Sequence, residues 1–289
     1  MKEKRTYTKW IPYLTLLAAG ILFTVSCSTS DDTSLLAFKL TDAPDTSGIT
    51  NVVVTISQIK VNESADAADG QGGSWKILEL NPAKEVDLLT LANGVTENLG
   101  ELEIAGGTQI NQIRFVVDSA KVSLDDGANY TTLTVPSNSV KIVNAFQVPL
   151  SGSISIVLDF DVSSSIVKTG NGQYILKPAI RSIVENEAGW ITGTAPAGAT
   201  VYAYKDGDYV DGTEPVTSSD RDGDGTPDPA FPNAYTSTVV KSDGTFKLAF
   251  LEAGTYDLVM VQETQGPKFF DTNLVVESNK GTSAGELAF

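Results

Sequence analysis

The chain has 289 residues, 41% hydrophobic and 19% charged, which supplies ordinary apolar cores and argues against wholesale disorder. Its formal charge is −16, and residues 1–26 hold one of the 36 acids against four of the 20 bases, so the remainder is more acidic still and repels nucleic acid. With no histidine and one cysteine, the imidazole base, the Ser-His-Asp arrangement, His-ligated zinc and any intramolecular disulfide are excluded.

The N-terminus has the pattern of an export signal. Lys2, Lys4, Arg5 and Lys9 precede an apolar stretch at 10–25, interrupted by Pro12. Those 16 residues fall short of the roughly 20 needed to span a bilayer as a helix. The only cysteine, Cys27, follows directly after Ser26. Ser26-Cys27 resembles a bacterial lipobox, with Thr24 departing from its commonest residue. The resemblance implies cleavage after residue 26 and lipidation of Cys27, with acyl chains as the membrane contact. Residues 27–34 are then the lipidated cysteine and a polar tether, and Asp31-Asp32 is similar to the acidic export signal of surface-exposed lipoproteins. The expected location is the cell envelope, on the outer membrane and facing outward.

From residue 35 the pattern is β. Leu36, Phe38 and Leu40 alternate with Ala37 and Lys39; Val52, Val54 and Ile56 with Val53 and Thr55; Ile154, Ile156, Leu158 and Phe160 with Ser153, Ser155, Val157 and Asp159. Period two marks strands with one buried face. Further strands are predicted at 75–80, 109–117, 120–124, 130–135, 139–143 and 173–184, with short helical turns at 85–92 and 162–167. Asp69-Gly70, Gly106-Gly107, Asp126-Gly127 and Asn171-Gly172 provide turns between them. The polar stretch 185–189 ends this run. A second follows, with strands at Thr200-Val201-Tyr202-Ala203-Tyr204, 245–250 and 255–261. The expected fold is all-β: two antiparallel β-sandwich domains, 35–186 and 188–289, the second of some seven short strands.

The first domain resembles a lipoprotein module catalogued as domain of unknown function 4382. The resemblance rests on Leu40-Thr41-Asp42-Ala43-Pro44, residues 52–61 with Trp75, Val86-Asp87-Leu88-Leu89, Ile113-Arg114-Phe115, Leu158-Asp159-Phe160-Asp161 and Tyr174-Ile175-Leu176-Lys177-Pro178. It implies fold and location rather than an activity. The second domain is similar to carboxypeptidase-regulatory-like, transthyretin-like sandwiches through Ile191-Thr192-Gly193, Ser242-Asp243-Gly244-Thr245-Phe246 and Leu251-Glu252-Ala253-Gly254-Thr255-Tyr256. Such modules accompany catalytic domains and imply no peptidase activity of their own.

One segment carries chemistry in its spacing. Asp220, Asp222, Asp224 and Asp228 stand at positions 1, 3, 5 and 9 of an EF-hand-type loop, with Gly225 at 6 and the carbonyl of Thr226 at 7. Calcium takes six to eight oxygens, and alternate residues of a tight loop turn theirs inward. Position 12 is Phe231 rather than a bidentate glutamate, so a further carboxylate must come from elsewhere. Residues 206–228 hold eight acids, Glu214 among them, and one base, Arg221. A structural calcium ion is the expected cofactor.

Weaker constellations are read structurally. Asp159 and Asp161 share a strand face, where surface or turn roles outweigh acid-base work. Asp42 is expected to form a turn before Ala43-Pro44. Trp75, Trp190, Tyr204 and Tyr209 could stack on sugars, although their β pattern favours core packing. The functional expectation is a non-catalytic, lipid-anchored surface protein for adhesion or ligand binding, with a glycan or a surface protein as partner. The alternative is a carbohydrate-binding accessory lipoprotein of a polysaccharide-capture system.

Overall fold

In a computed structural model, the structure describes residues 32–43, 49–68, 75–169, 173–210, 212–214, 231–262 and 265–289. The first half holds β1 (Thr33–Ala43), β2 (Asn51–Asn62), β3 (Lys76–Asp87), β4 (Glu97–Ala105), β5 (Gln109–Ile110), β6 (Gln112–Ser123), β7 (Thr131–Thr132), β8 (Ser139–Ile142), β9 (Phe146–Gln147) and β10 (Gly152–Asp161). After the one-turn helix α1 (Val162–Ser165) come β11 (Ile166–Lys168), β12 (Tyr174–Leu176) and β13 (Ala179–Val184). The second half holds β14 (Gly189–Thr194), β15 (Thr200–Lys205), β16 (Thr236–Val239), β17 (Thr245–Leu251), β18 (Gly254–Gln262), β19 (Gly266–Val276) and β20 (Gly281–Glu286). The expected all-β class is observed.

In the first sandwich, sheet β13-β10-β1-β4 faces sheet β3-β2-β6-β7, with β8 also on β6. The alternating residues read from the sequence line the space between them: Leu36, Phe38, Leu40, Val52, Val54, Ile56, Ile156, Leu158 and Phe160 are all inaccessible to solvent. Burying each such side chain contributes about 1.5–3 kcal/mol. In the second sandwich, β17-β14-β20 faces β16-β15-β18-β19 around a separate core of Ile191, Val201, Phe246, Leu248, Tyr256, Leu258 and Met260.

Pairing is mostly antiparallel, but β1 runs parallel to β10 and β14 parallel to β20. Each is the opening strand of its sandwich and joins a strand far along the chain. No hairpin imposes a direction there, and alternation carries no direction signal. The strands predicted at 109–117 and 120–124 fuse into β6 around Asp118 and Ser119, where register shifts against β2 absorb the break and Ser57 Oγ donates to Asp118 Oδ1 at 2.7 Å. The strand expected at 75–80 continues to Asp87, so the helical turn shrinks to the 3-10 turn Leu88–Leu91, capped by Asp87 accepting from Leu89 N at 3.3 Å. β4 was not anticipated, because its glutamates conceal the inward row Leu99, Leu102 and Ile104.

Candidate functional site

The second sandwich docks on the outer face of the first. Register places Thr41, Asp159 and Arg181 side by side across β1, β10 and β13. Their side chains point away from the first core because they occupy the odd phase of strands whose even residues are apolar. Arg181 Nε donates to Asp159 Oδ2 at 2.6 Å, and the guanidinium lies 4.1 Å over the ring of Tyr235. Burial, the largest single influence, would lower the guanidinium pKa, but Asp159 and Tyr235 together, by charge and hydrogen bonding, hold Arg181 above its ordinary value. Lys205 Nζ stands 4.8 Å from the same ring, which also meets Tyr256 edge-on at 5.6 Å. Burial pushes the Tyr235 phenol up, although the two cations oppose the shift.

A cleft of about 300 Å³ opens beside this cluster, lined by Asp159, Asp161, Arg181, Tyr235 and Thr236. Its two carboxylates already have structural duties. Asp159 holds Arg181. Asp161 caps α1, accepting from Ser164 N at 3.0 Å and Ser164 Oγ at 2.8 Å. The turn expected at Asp42 is corrected: Asp42 is buried within β1 opposite Phe160 and accepts from Val162 N at 3.2 Å. Parallel pairing with β10 draws it into the sheet.

The Asn93-Gly94 turn forms a second docking point, with φ of +60° and +79°. Asn93 Nδ2 donates to the Val239 carbonyl and Asn93 Oδ1 accepts from Lys247 N, both at 3.1 Å, so one amide bridges the gap between β16 and β17. A Cβ at Gly94 would stand 2.9 Å from Ala249 Cβ. The Asn-Gly pair is a turn signal in the sequence, but its docking role is not.

Cys27, Asp220, Asp222, Asp224, Thr226 and Asp228 lie outside the described residues. The two ends of the acidic segment are described. Tyr204 Oη donates to Glu214 Oε2, and Asn233 N donates to Glu214 Oε1 at 3.1 Å. Phe231 packs against Tyr202 with ring centroids 4.3 Å apart, in a small cluster with Tyr204 and Val259 outside the main core. Burial, then the bond to Glu214, raises the Tyr204 phenol far above its ordinary value. Glu214, counted from the sequence among the spare acids, is buried, and both its oxygens are engaged. Among the described residues, no group of three or more Cys, Asp or Glu side chains stands together as a metal site, and no helix is long and apolar enough to cross a membrane.

The aromatic candidates divide. Tyr204 is fully buried. Tyr209 stacks on Phe269 at 4.9 Å with planes 18° apart, so the rings cover one another instead of lying side by side as a platform. Trp75 donates from Nε1 to the Ala68 carbonyl at 3.3 Å and lies under Arg114. Trp190 is half-buried at the margin of the junction.

No curated protein matches the chain. Among solved structures, similarity is found to the minor pilin GBS52 of Streptococcus agalactiae, at 10% identity over 87% of this chain and 95% of that one, with a TM-score of 0.21. The shaft pilin SpaA of Lactobacillus rhamnosus GG aligns at 12% identity over 89% and 98%, also with a TM-score of 0.21. Superpositions this loose carry no residue from one chain to the other. The family described as Domain of unknown function (DUF4382) matches residues 33–178, which include Asp42, Asn93 and Asp159. That segment is about half of the chain, and this protein belongs to the DUF4382 family.

Proposed function

We propose that this protein is a non-catalytic, lipid-anchored protein of the cell envelope, exposed at the surface and working in adhesion or ligand binding. The observation that carries the reading is that the carboxylates of the cleft, and the one at the described end of the acidic segment, are already engaged. Asp159 is neutralised by Arg181, Asp161 caps a helix, and Glu214 ties down a loop. None is left as a poised acid or base. The anchor is the lipid on Cys27, as the leader and the lone thiol imply. Mass spectrometry of the mature N-terminus, with protease shaving of intact cells, tests this: a diacylated Cys27 and a shaved domain are expected, and an uncut leader or a protected domain refutes it.

The acidic segment is read as a calcium loop that stiffens the second sandwich, with Asp220, Asp222, Asp224, the Thr226 carbonyl and Asp228 as ligands. Phe231 packs on Tyr202, so position 12 contributes an apolar anchor and the remaining oxygens come from elsewhere.

A second reading, a carbohydrate-binding accessory lipoprotein, is favoured by a hydroxyl-lined depression on the outer face of β17-β14-β20. Screening the purified protein on a glycan array separates the two readings.

A further inference from the structure

The outer face of β17-β14-β20 is built from small and hydroxylated residues. Thr192 pairs with Lys247 on one side and Ser283 on the other, Thr194 pairs with Thr245, and Trp190 pairs with Gly281. Their neighbours Ile191, Phe246 and Leu248 point into the core, so this set faces outward. The resulting trough has a volume of about 510 Å³ and is lined by Thr192, Thr194, Lys241, Thr245, Lys247 and Ser283, with glycines in its floor. At Lys247 it meets a second cleft of about 260 Å³ walled by Trp190 and Phe250.

Charge distinguishes this surface. The chain carries −16, yet no acid lines the trough, and two lysines do. Elsewhere in the second sandwich Lys205 pairs with Glu252 at 2.8 Å and Lys280 pairs with Glu277. Among the described residues neither Lys241 nor Lys247 forms a salt bridge, although Lys241 is near enough to Asp243 to help lower that acid's pKa. Two acids stand at the rim: Asp243, held by Thr245, whose N and Oγ1 donate to it at 2.9 and 2.6 Å, and the exposed Glu286, the register partner of Thr194. Lys247 Nζ lies 5.1 Å from the Trp190 ring, which keeps an aromatic wall beside the ammonium. A Cβ at Gly281 would stand 2.3 Å from Trp190 Nε1, so glycine lets the indole lie against the sheet. Opposite Trp190, a bulge in β17 holds Phe250 at φ +55°, a conformation bulky side chains rarely adopt.

We propose that this trough binds a polysaccharide whose sugar rings carry carboxylates, a uronate-type glycan. Threonine and serine hydroxyls meet ring hydroxyls, Trp190 contacts a sugar's apolar C–H face, and Lys241 and Lys247 take the carboxylates. The inference rests on the ligand-binding reading above and names its ligand class; it does not depend on where the protein is anchored.

The test is calorimetry on the full chain in detergent, with short oligogalacturonate, uncharged malto-oligosaccharide and polyglutamate as probes. Binding of oligogalacturonate alone is expected. Affinity should fall about tenfold for each of Lys241→Glu and Lys247→Glu, and weaken as salt rises. Ser283→Tyr fills the trough without changing charge and should remove binding, with the melting temperature of the variant unchanged. The proposal is overturned if the folded wild type ignores oligogalacturonate, if malto-oligosaccharide or polyglutamate binds equally well, or if folded Ser283→Tyr binds normally. Fractionation of cells tests the location separately. A surface protein that ignores uronates refutes the trough alone, and a uronate binder found in the cytoplasm refutes the anchor alone.

Discussion

Asn93 of the first sandwich hydrogen-bonds Val239 of the second, its amide donating to the Val239 carbonyl at 3.1 Å while its oxygen accepts from Lys247 N. A single side chain thus mimics a strand between β16 and β17. Asn93→Ala removes both bonds and forces alanine into φ +60°, so a loss of about 2–3 kcal/mol is expected. Asn93→Gly keeps the backbone free and should lose less. Urea denaturation of the full chain measures both against the wild type, and an Asn93→Gly variant as stable as the wild type would show that the amide does not hold the junction.

In the Asp159–Arg181 pair at the same junction, the carboxylate is buried and the guanidinium half-buried. Removing one partner leaves an uncompensated charge, so Arg181→Met should cost about 3–5 kcal/mol. Asp159→Leu together with Arg181→Met should recover most of that loss. A double variant as unstable as the single one would mean that Arg181 works through Tyr235 rather than through Asp159.

The second sandwich should be sensitive to alkali. Burial raises the phenols of Tyr204, Tyr235 and Tyr256 above their ordinary value of 10.0, with Glu214 adding to the effect at Tyr204. The neutral phenol is the form the fold favours. This stability is therefore fully present below about pH 10, where the unfolded phenols are also neutral, and is lost progressively as pH rises beyond it. Melting temperature against pH should bend downward there, together with late tyrosinate absorbance. Tyr204→Phe should soften the bend and, by leaving Glu214 one donor short, cost about 1–3 kcal/mol at neutral pH.

Millimolar calcium should raise the melting temperature of the full chain by several degrees, as binding to the folded state alone requires. Asp222→Ala with Asp224→Ala should abolish the rise and leave the melting temperature in chelator unchanged. A wild-type protein indifferent to calcium removes the ion from the second sandwich.

The leader, the lone thiol, the all-β class and the inward rows Leu36–Phe38–Leu40 and Ile154–Ile156–Leu158–Phe160 were legible in sequence, because period two is a local consequence of strand geometry. β4 was hidden because charge on its exposed positions masked its buried ones. Tyr204 was expected in the core and lies there, but Glu214 looked like a spare ligand until folding put the two in contact. The trough was illegible for a similar reason: its residues lie on three strands, and β20, with Gly281, Ser283 and Gly285 outward, has almost no hydrophobic signature.

By itself the sequence determined which residues face inward, since that follows from side-chain alternation and the exclusion of apolar surface from water. Only the tertiary structure decided strand direction and the meeting of distant polar groups. The parallel joining of β1 to β10, the Asp159–Arg181 pair against Tyr235, and Lys247 brought beside Trp190 depend on pairing between segments far apart in the chain. Such contacts are chosen by the packing of whole sheets, which no local pattern records.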